Sequence, residues 1–341
     1  MKKMMILLVI VTLILSACSQ GKTTENKSEQ SASGQTETSK EAAKPETKKF
    51  KIGINQFAEH PALDAVRTGF EEELKALGVE AEFDWKNAQA DVPNATKISQ
   101  KFAEDKVDLI LAIATISAQT AKTATAENKI PVLFSAVTDP VSAELVASME
   151  KPEGNLSGTT DMAPMDKQLK LFTELKPEIK KIGIIFNTGE ANSEAQVKMA
   201  EEIAAGMGLE IVTIGINNIN EVPQAVDAIL SKADAIYTIT DNIVASAINV
   251  VAKKANEAGV ITIGAEKAHV EGGILMTEGL SYLELGKQTA QMAKRVLVDG
   301  ADISAMPVES LKATSKAVNV ETVKILGLEG AKTFAGAEEV K

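Results

Sequence analysis

An α/β fold of two doubly wound parallel-sheet lobes is what this sequence predicts, on three observations. Short β-rich runs and amphipathic helical stretches alternate with little interruption. The pattern then restarts: Lys51-Ile52-Gly53-Ile54 recurs as Lys181-Ile182-Gly183-Ile184, Val107-Asp108 is echoed by Ala233-Asp234, and 130–134 by 260–264, in the same order and at offsets of 126 to 130 residues. Three ordered echoes make two similar lobes a better reading than chance. Aromatic residues are only 4% of the chain while Ala, Val, Ile and Leu abound, a balance that suits buried parallel strands covered by helices.

Taken in order, residues 51–57 form a β-rich run. In 62–77, Leu63, Val66, Phe70, Leu74 and Leu77 make an apolar stripe at helical spacing, closed by Gly78. A strand follows at 79–85, then a helix at 92–104 with Pro93 in its first turn. Residues 107–112 read as a strand, 118–127 as a helix and 131–135 as a strand, followed by a short helix at 141–149 and an extended run at 155–161. In the second half, strands are expected at 181–184, 233–237, 260–264 and 273–277, and helices at 244–258 and 282–298. Residues 306–311 and 317–320 are extended, 321–325 is a short helix, and the Glu-rich residues after Gly330 look solvated and frayed. Repeated βα units of this kind imply right-handed crossovers. Lobe 1 is expected to span 50–160 plus 281–312, and lobe 2 161–280 plus 313–341.

The first 17 residues read as a leader. Lys2 and Lys3 precede a twelve-residue apolar run at 4–15, too short for a permanent membrane span. Leu15-Ser16-Ala17-Cys18 resembles the lipobox of bacterial lipoproteins, in which the leader is cut before a cysteine that carries the lipid. Cys18 is the single cysteine of the chain, which excludes a disulfide within the monomer. Residues 18–49 are rich in Ser, Thr, Glu, Gln and Lys and should form a disordered tether.

Loss of the leader removes two lysines and takes the net charge from −11 to −13. An acidic chain without a basic block argues against nucleic acid as a partner. Enzyme motifs are absent: there is no phosphate-binding GxxxxGK[ST], no GxSxG and no HExxH. The two histidines, His60 and His269, stand 209 positions apart. Neither a cofactor nor a metal site is expected.

Ligands of open α/β sheets bind beyond the carboxyl ends of the strands. That rule collects Thr115, Ser117, Ser135, Thr138 and Asp139 on the first lobe. On the second it collects Asn187, Glu190, Asn192, Ser193, Asp241 and Glu266. Gln56, Phe57 and His60 follow the first strand, and Tyr282 could cap the space from the side of the lobe junction. Each has a plainer role open to it: Thr115 and Ser117 as helix N-caps, Asp139 as a turn residue, Asp241 as a cap, Phe57 as core.

Several of these turns carry a family resemblance. Gln56-Phe57-Ala58-Glu59-His60-Pro61-Ala62-Leu63-Asp64, Ala112-Ile113-Ala114-Thr115 with Ala118-Gln119, Ile130-Pro131-Val132 with Val137-Thr138-Asp139-Pro140, Gly154-Asn155-Leu156-Ser157-Gly158, Glu190-Ala191-Asn192-Ser193 and Asp241-Asn242 resemble lipid-anchored substrate-binding proteins of ABC importers, in the family for tryptophan, tyrosine and related aromatic amino acids. The resemblance runs from about Lys51 to Leu328. It implies the type I periplasmic-binding-protein fold, two lobes joined by a three-stranded hinge. It also implies an extracytoplasmic monomer on a lipid anchor in a bacterium of Gram-positive type, with a permease and, through it, an ATPase as partners. After Thr115 the family has small residues and a proline, whereas Ile116-Ser117 stands here.

For an amino acid in such a cleft, Thr115, Ser117 and Thr138 are expected to hold the carboxylate, and either Asp241 or Glu266 the ammonium. A sugar or nucleoside binder of the same fold, and a surface sensor or adhesion lipoprotein, remain the alternatives.

Overall fold

The computed structural model describes residues 48–341. The leader, Cys18 and the tether as far as residue 47 lie outside the described residues. Lobe 1 begins with β1 (Phe50–Gln56), α1 (Pro61–Ala76), β2 (Ala81–Asn87), α2 (Val92–Glu104), β3 (Leu109–Ile113), α3 (Thr115–Ala124), β4 (Val132–Ser135) and β5 (Leu156–Thr160). The chain then crosses into α4 (Met165–Leu175), β6 (Lys181–Asn187), α5 (Ala191–Gly206), β7 (Glu210–Ile216), α6 (Val222–Leu230), β8 (Ala235–Thr238), α7 (Asn242–Ser246), α8 (Ile248–Glu257), β9 (Ile261–Gly264), α9 (Lys267–Glu271) and β10 (Met276–Gly279). It returns through α10 (Tyr282–Leu297) and β11 (Glu309–Ser310), and ends in the second lobe with β12 (Ser315–Asn319), α11 (Val320–Ile325) and β13 (Glu338–Val340).

Two sheets result, ordered β11-β5-β4-β3-β1-β2 and β13-β12-β10-β9-β8-β6-β7. The first is parallel throughout, and the second is parallel except where β10 meets β12. The echoed motifs occupy equivalent places: Ile52 and Ile182 both lie in a strand flanked by later strands on one side and by the next strand on the other. In each sheet the order reverses beside that strand, between β1 and β3 and between β6 and β8, which is where a doubly wound sheet opens a crevice.

Four apolar clusters, one on each face of each sheet, hold the lobes. In the first, α10 lies directly on α1. A Cβ at Gly286 would come within 2.0 Å of the Val66 carbonyl oxygen, and one at Gly69 within 2.1 Å of the Leu283 carbonyl oxygen, so glycine is what lets the two helix backbones touch. The contact draws α10 back to lobe 1 after β10 has been laid in the other sheet. Three segments therefore run between the sheets, after β5, after β10 and after β11.

Four local expectations are corrected. The helix expected at 141–149 is a run of turns, because Asp139 takes the Val141 and Ser142 N–H groups and the Pro152 carbonyl takes that of Ala147. The helix expected at 244–258 begins earlier and breaks at Ala247 into α7 and α8. α3 begins at Thr115, three residues before the expected start. The C-terminal residues expected to fray instead add an edge strand that pairs in parallel with β12.

Candidate functional site

The carboxyl ends of both sheets converge on one narrow cavity of about 20 Å³, lined from lobe 1 by His60, Leu63, Thr115, Ala136 and Thr138, from lobe 2 by Asn192, Thr240, Asp241, Asn242, Ala245 and Glu266, and from the crossing segments by Asp161 and Tyr282. That is room for about one water, so the lobes stand closed on each other. Across the gap, His60 Nε2 lies 3.4 Å from Asn242 Oδ1.

Backbone geometry is unusual on the lobe 1 wall. Ala114, with φ 79° and ψ 161°, and Ala136, with φ 56°, directly follow β3 and β4 in conformations that side chains disfavour. The turn at Ala114 aims the start of α3 at the cavity, and no side chain caps that helix. Its first N–H groups and the positive end of its dipole thus face the space beside Thr115.

The acids sort by what already holds them. Asp241 Oδ1 accepts from Val244 N at 2.9 Å, capping α7, while Oδ2 accepts from Asn187 N at 2.6 Å and Ser193 Oγ at 2.7 Å. Glu190 is enclosed by amides: Oε1 accepts from Asn187 Nδ2 at 3.1 Å, and Oε2 from Asn192 Nδ2 at 3.1 Å and Asn242 Nδ2 at 2.5 Å. Burial, and then the charge of Asp241, push the Glu190 carboxyl up to about 7, and burial also raises Asp241.

Asp161 and Glu266 differ. Asp161 Oδ2 accepts from the Tyr282 hydroxyl at 2.6 Å, yet its Oδ1 is buried without a partner, and burial pushes the carboxyl up to about 6. Glu266 Oε1 lies 3.1 Å from His269 Nε2, close enough for a charge contact but off the N–H axis, and Oε2 is buried and unpartnered. Burial is the largest influence and acts to raise Glu266, but His269, His60 and the Tyr282 hydroxyl together outweigh it and hold the carboxyl below the usual range. Asn192 donates to Glu190 and to the Thr240 carbonyl, which leaves its Oδ1 buried and unpartnered as well.

Of the residues singled out in the sequence, His60, Thr115, Thr138, Asn192, Asp241, Glu266 and Tyr282 line the cavity. The others lie behind it. Ser117 Oγ donates to Asn55 Oδ1 at 3.2 Å inside lobe 1, and Ser135 Oγ shares a hydroxyl cluster with Thr159 and Thr289 under α10. Gln56 Nε2 bonds the Ala58 carbonyl and Asp64, bracing the turn that presents His60. Phe57 is core, and Asp139 caps the turn after β4. Asn187, Glu190 and Ser193 form the hydrogen-bonded floor under Asn192, Asp241 and Asn242. Asp161 was not singled out, although the strand-end rule applied to β5 reaches it.

Comparison with known proteins gives four findings. The profile of a family described as ABC transporter substrate binding protein matches residues 51–335. The chain is 42% identical over 296 residues to a tyrosine-binding protein of Clostridioides difficile (strain R20291), covering 85% of each. Among solved structures it is similar to an ABC domain in complex with L-Trp from Streptococcus pneumonia, with a TM-score of 0.81 at 30% identity over 86% of this chain and all of that one. It also resembles the ligand-free, open structure of a substrate binding protein with adhesive properties from Clostridium difficile, at 43% identity over 86% of this chain and 99% of that one. The TM-score there is 0.66. The lower score at higher identity agrees with a closed arrangement of the lobes in the present chain.

Proposed function

This chain belongs to the ABC transporter substrate binding protein family, and from that premise we propose that it captures an aromatic amino acid between its lobes, outside the cytoplasm, and delivers it to a membrane permease coupled to an ATPase. In this reading lobe 1 spans 50–160 plus 281–312 and lobe 2 161–280 plus 313–341, and Cys18 is the anchoring cysteine of a monomer.

One observation carries the ligand class: Asp161 Oδ1, Glu266 Oε2 and Asn192 Oδ1 are buried acceptors without partners around a single cavity. An ammonium has three N–H donors and a positive charge, and would satisfy all three where a neutral sugar would leave carboxylate charge unmatched. The carboxylate of the same ligand would then lie against the uncapped start of α3 with Thr115 and Thr138. Acids from the crossing segment and lobe 2 take one end of the ligand and lobe 1 the other, so the ligand favours the closed state through differential contact. Since the cavity has room for about one water, the lobes part to admit an amino acid and close around it less tightly than in the arrangement described.

Thermal unfolding of the purified protein with each natural amino acid tests this. An aromatic amino acid at a hundred times its Kd should add about 2.7 kcal/mol of stability. No shift with any of them would sink the proposal.

A further inference from the structure

We infer that Glu278 is a positioning residue of the lobe junction: its carboxylate gathers the lobe 2 ends of all three crossing segments onto one atom, so that the lobes part and close as two rigid bodies. This rests on capture by closure of the lobes, whichever ligand the cleft takes.

The crossings are short. Residues 161–164 join β5 to α4, 280–281 join β10 to α10, and 311–314 join β11 to β12. Three separate links that bend by different amounts would let the lobes twist and slide as well as open. At lobe 2 a single oxygen couples them. Glu278 Oε1 accepts from Lys167 Nζ at 3.1 Å and from Thr314 Oγ1 at 3.2 Å. Lys167 stands in the first turn of α4, just past the first crossing; Glu278 is the third residue of β10, just before the second; Thr314 is the last residue of the third. Each crossing thus supplies one member of the clamp.

The clamp is anchored in the interior of lobe 2. The Glu278 carbonyl accepts from Gln168 Nε2 at 2.8 Å, and the same nitrogen donates to the Ala265 carbonyl at 3.0 Å. Gln168 Oε1 in turn takes the hydroxyl of Tyr237, a fully buried side chain. The lobe 1 ends are gathered by other residues. Tyr282 and Asp161 join the first two crossings, and Gln288 and Arg295 of α10 hold Glu309 just before the third. With both ends gathered, bending is left to the residues between them, 162–164, 280–281 and 311–313.

Exposure separates this role from plain stabilisation. The Glu278 side chain is only 16% exposed, but that of Lys167 is 51% exposed, and an ion pair with a half-exposed cation contributes little to global stability. Loss of the clamp should therefore appear in the relative motion of the lobes and not in unfolding. Freed crossings admit more lobe arrangements, the closed one becomes a smaller fraction of the ligand-free population, and apparent affinity falls with that fraction although Glu278 does not line the cavity.

Spin labels on one exposed helix residue of each lobe test this, at Lys97→Cys in α2 and Lys198→Cys in α5, with Cys18→Ser removing the single native cysteine. In the ligand-free chain, Glu278→Ala should widen the distribution of label distances measured by pulsed electron paramagnetic resonance. Calorimetric titration with L-tyrosine and L-tryptophan should show the better ligand bound about 3- to 30-fold more weakly. The urea midpoint should stay within about 0.5 M of that of the parent chain. Glu278→Gln, which keeps an oxygen for both donors, should restore the narrow distribution. An unchanged width in Glu278→Ala, an affinity within twofold of the parent, or Glu278→Gln as broad as Glu278→Ala would overturn the inference. A midpoint lowered by more than about 0.5 M would mark a merely structural role and overturn it too. Should neither amino acid bind the parent chain, the amino acid reading fails, while the ligand-free distance distributions still decide the role of Glu278.

Discussion

Replacing Asp161 by Asn should strengthen the fold and weaken its function at once. The Asp161 carboxyl rises from 3.8 to about 6 because it is buried. At roughly 1.36 kcal/mol per pH unit, keeping it ionised at pH 8 costs the folded state about 3 kcal/mol. The sign follows from the direction of the shift. A raised carboxyl binds its proton more tightly in the folded chain, so its contribution to stability is complete below pH 3.8 and is lost as the pH climbs through about 6. Asparagine carries no charge and keeps an oxygen for the Tyr282 hydroxyl, but its amide N–H enters a site without a defined acceptor. That offsets about half of the gain, leaving about 1–2 kcal/mol. For a chain of this size, the melting temperature of the ligand-free variant should rise by about 2–6 °C at pH 8. The rise should vanish at pH 5, where the remaining ionisation cost of about 1.6 kcal/mol is cancelled by the stranded amide. Ligand affinity should move the other way, by a factor of about 10–100, because a charged hydrogen bond to the ammonium is lost. Scanning calorimetry at the two pH values and titration calorimetry at pH 8 read both effects. A ligand-free variant less stable than wild type at pH 8, or an affinity within threefold of wild type, would refute the assignment of Asp161.

Other substitutions test the supports of the site. Gly286→Ala should drive a methyl group into the Val66 carbonyl and cost about 3 kcal/mol or more, seen as a lower urea midpoint; an unchanged midpoint would mean that α1 and α10 can part freely. Ala114→Gly should relieve a conformation suited to glycine and, after glycine's own entropic cost, stabilise by about 1 kcal/mol, and a lower melting temperature would contradict the strain at φ 79°. Asp241→Ala removes the acceptor of Val244 N, Asn187 N and Ser193 Oγ. The loss is partly offset because burial had raised that carboxyl, so a net destabilisation of about 2 kcal/mol is expected in urea at pH 7. Full stability with abolished binding would make Asp241 a ligand contact instead of a cap.

The fold was legible because its signal is periodic. Strand and helix periods, and echoes such as Ile52 with Ile182, survive in any single stretch of chain, and the strand-end rule then found both walls of the cleft. Which polar side chain faces inward was not legible, because it depends on partners far away in sequence. Ser117 and Thr115 are two residues apart at the start of one helix, yet Ser117 turns back to Asn55 while Thr115 lines the cavity. Asp241 and Glu266 look alike as acids at strand ends. What separates them is that three donors from Asn187, Ser193 and Val244 reach Asp241, whereas Glu266 keeps a buried oxygen, Oε2, without a hydrogen-bond partner.

Asp161 escaped notice for a related reason. It lies just after the strand on which the chain leaves the first lobe, outside the repeat that drew attention to other strand ends, and Tyr282 opens the segment that returns to it. Their 2.6 Å hydrogen bond ties two of the three crossing segments together beside the cavity. The same carboxyl that leaves one oxygen unpartnered at the cavity therefore spends the other on the lobe junction. In the complex proposed above, a ligand ammonium at Asp161 would favour the ionised carboxylate, which would strengthen its bond to Tyr282 and hold the two crossings in the closed geometry, a direct mechanical route from binding to closure.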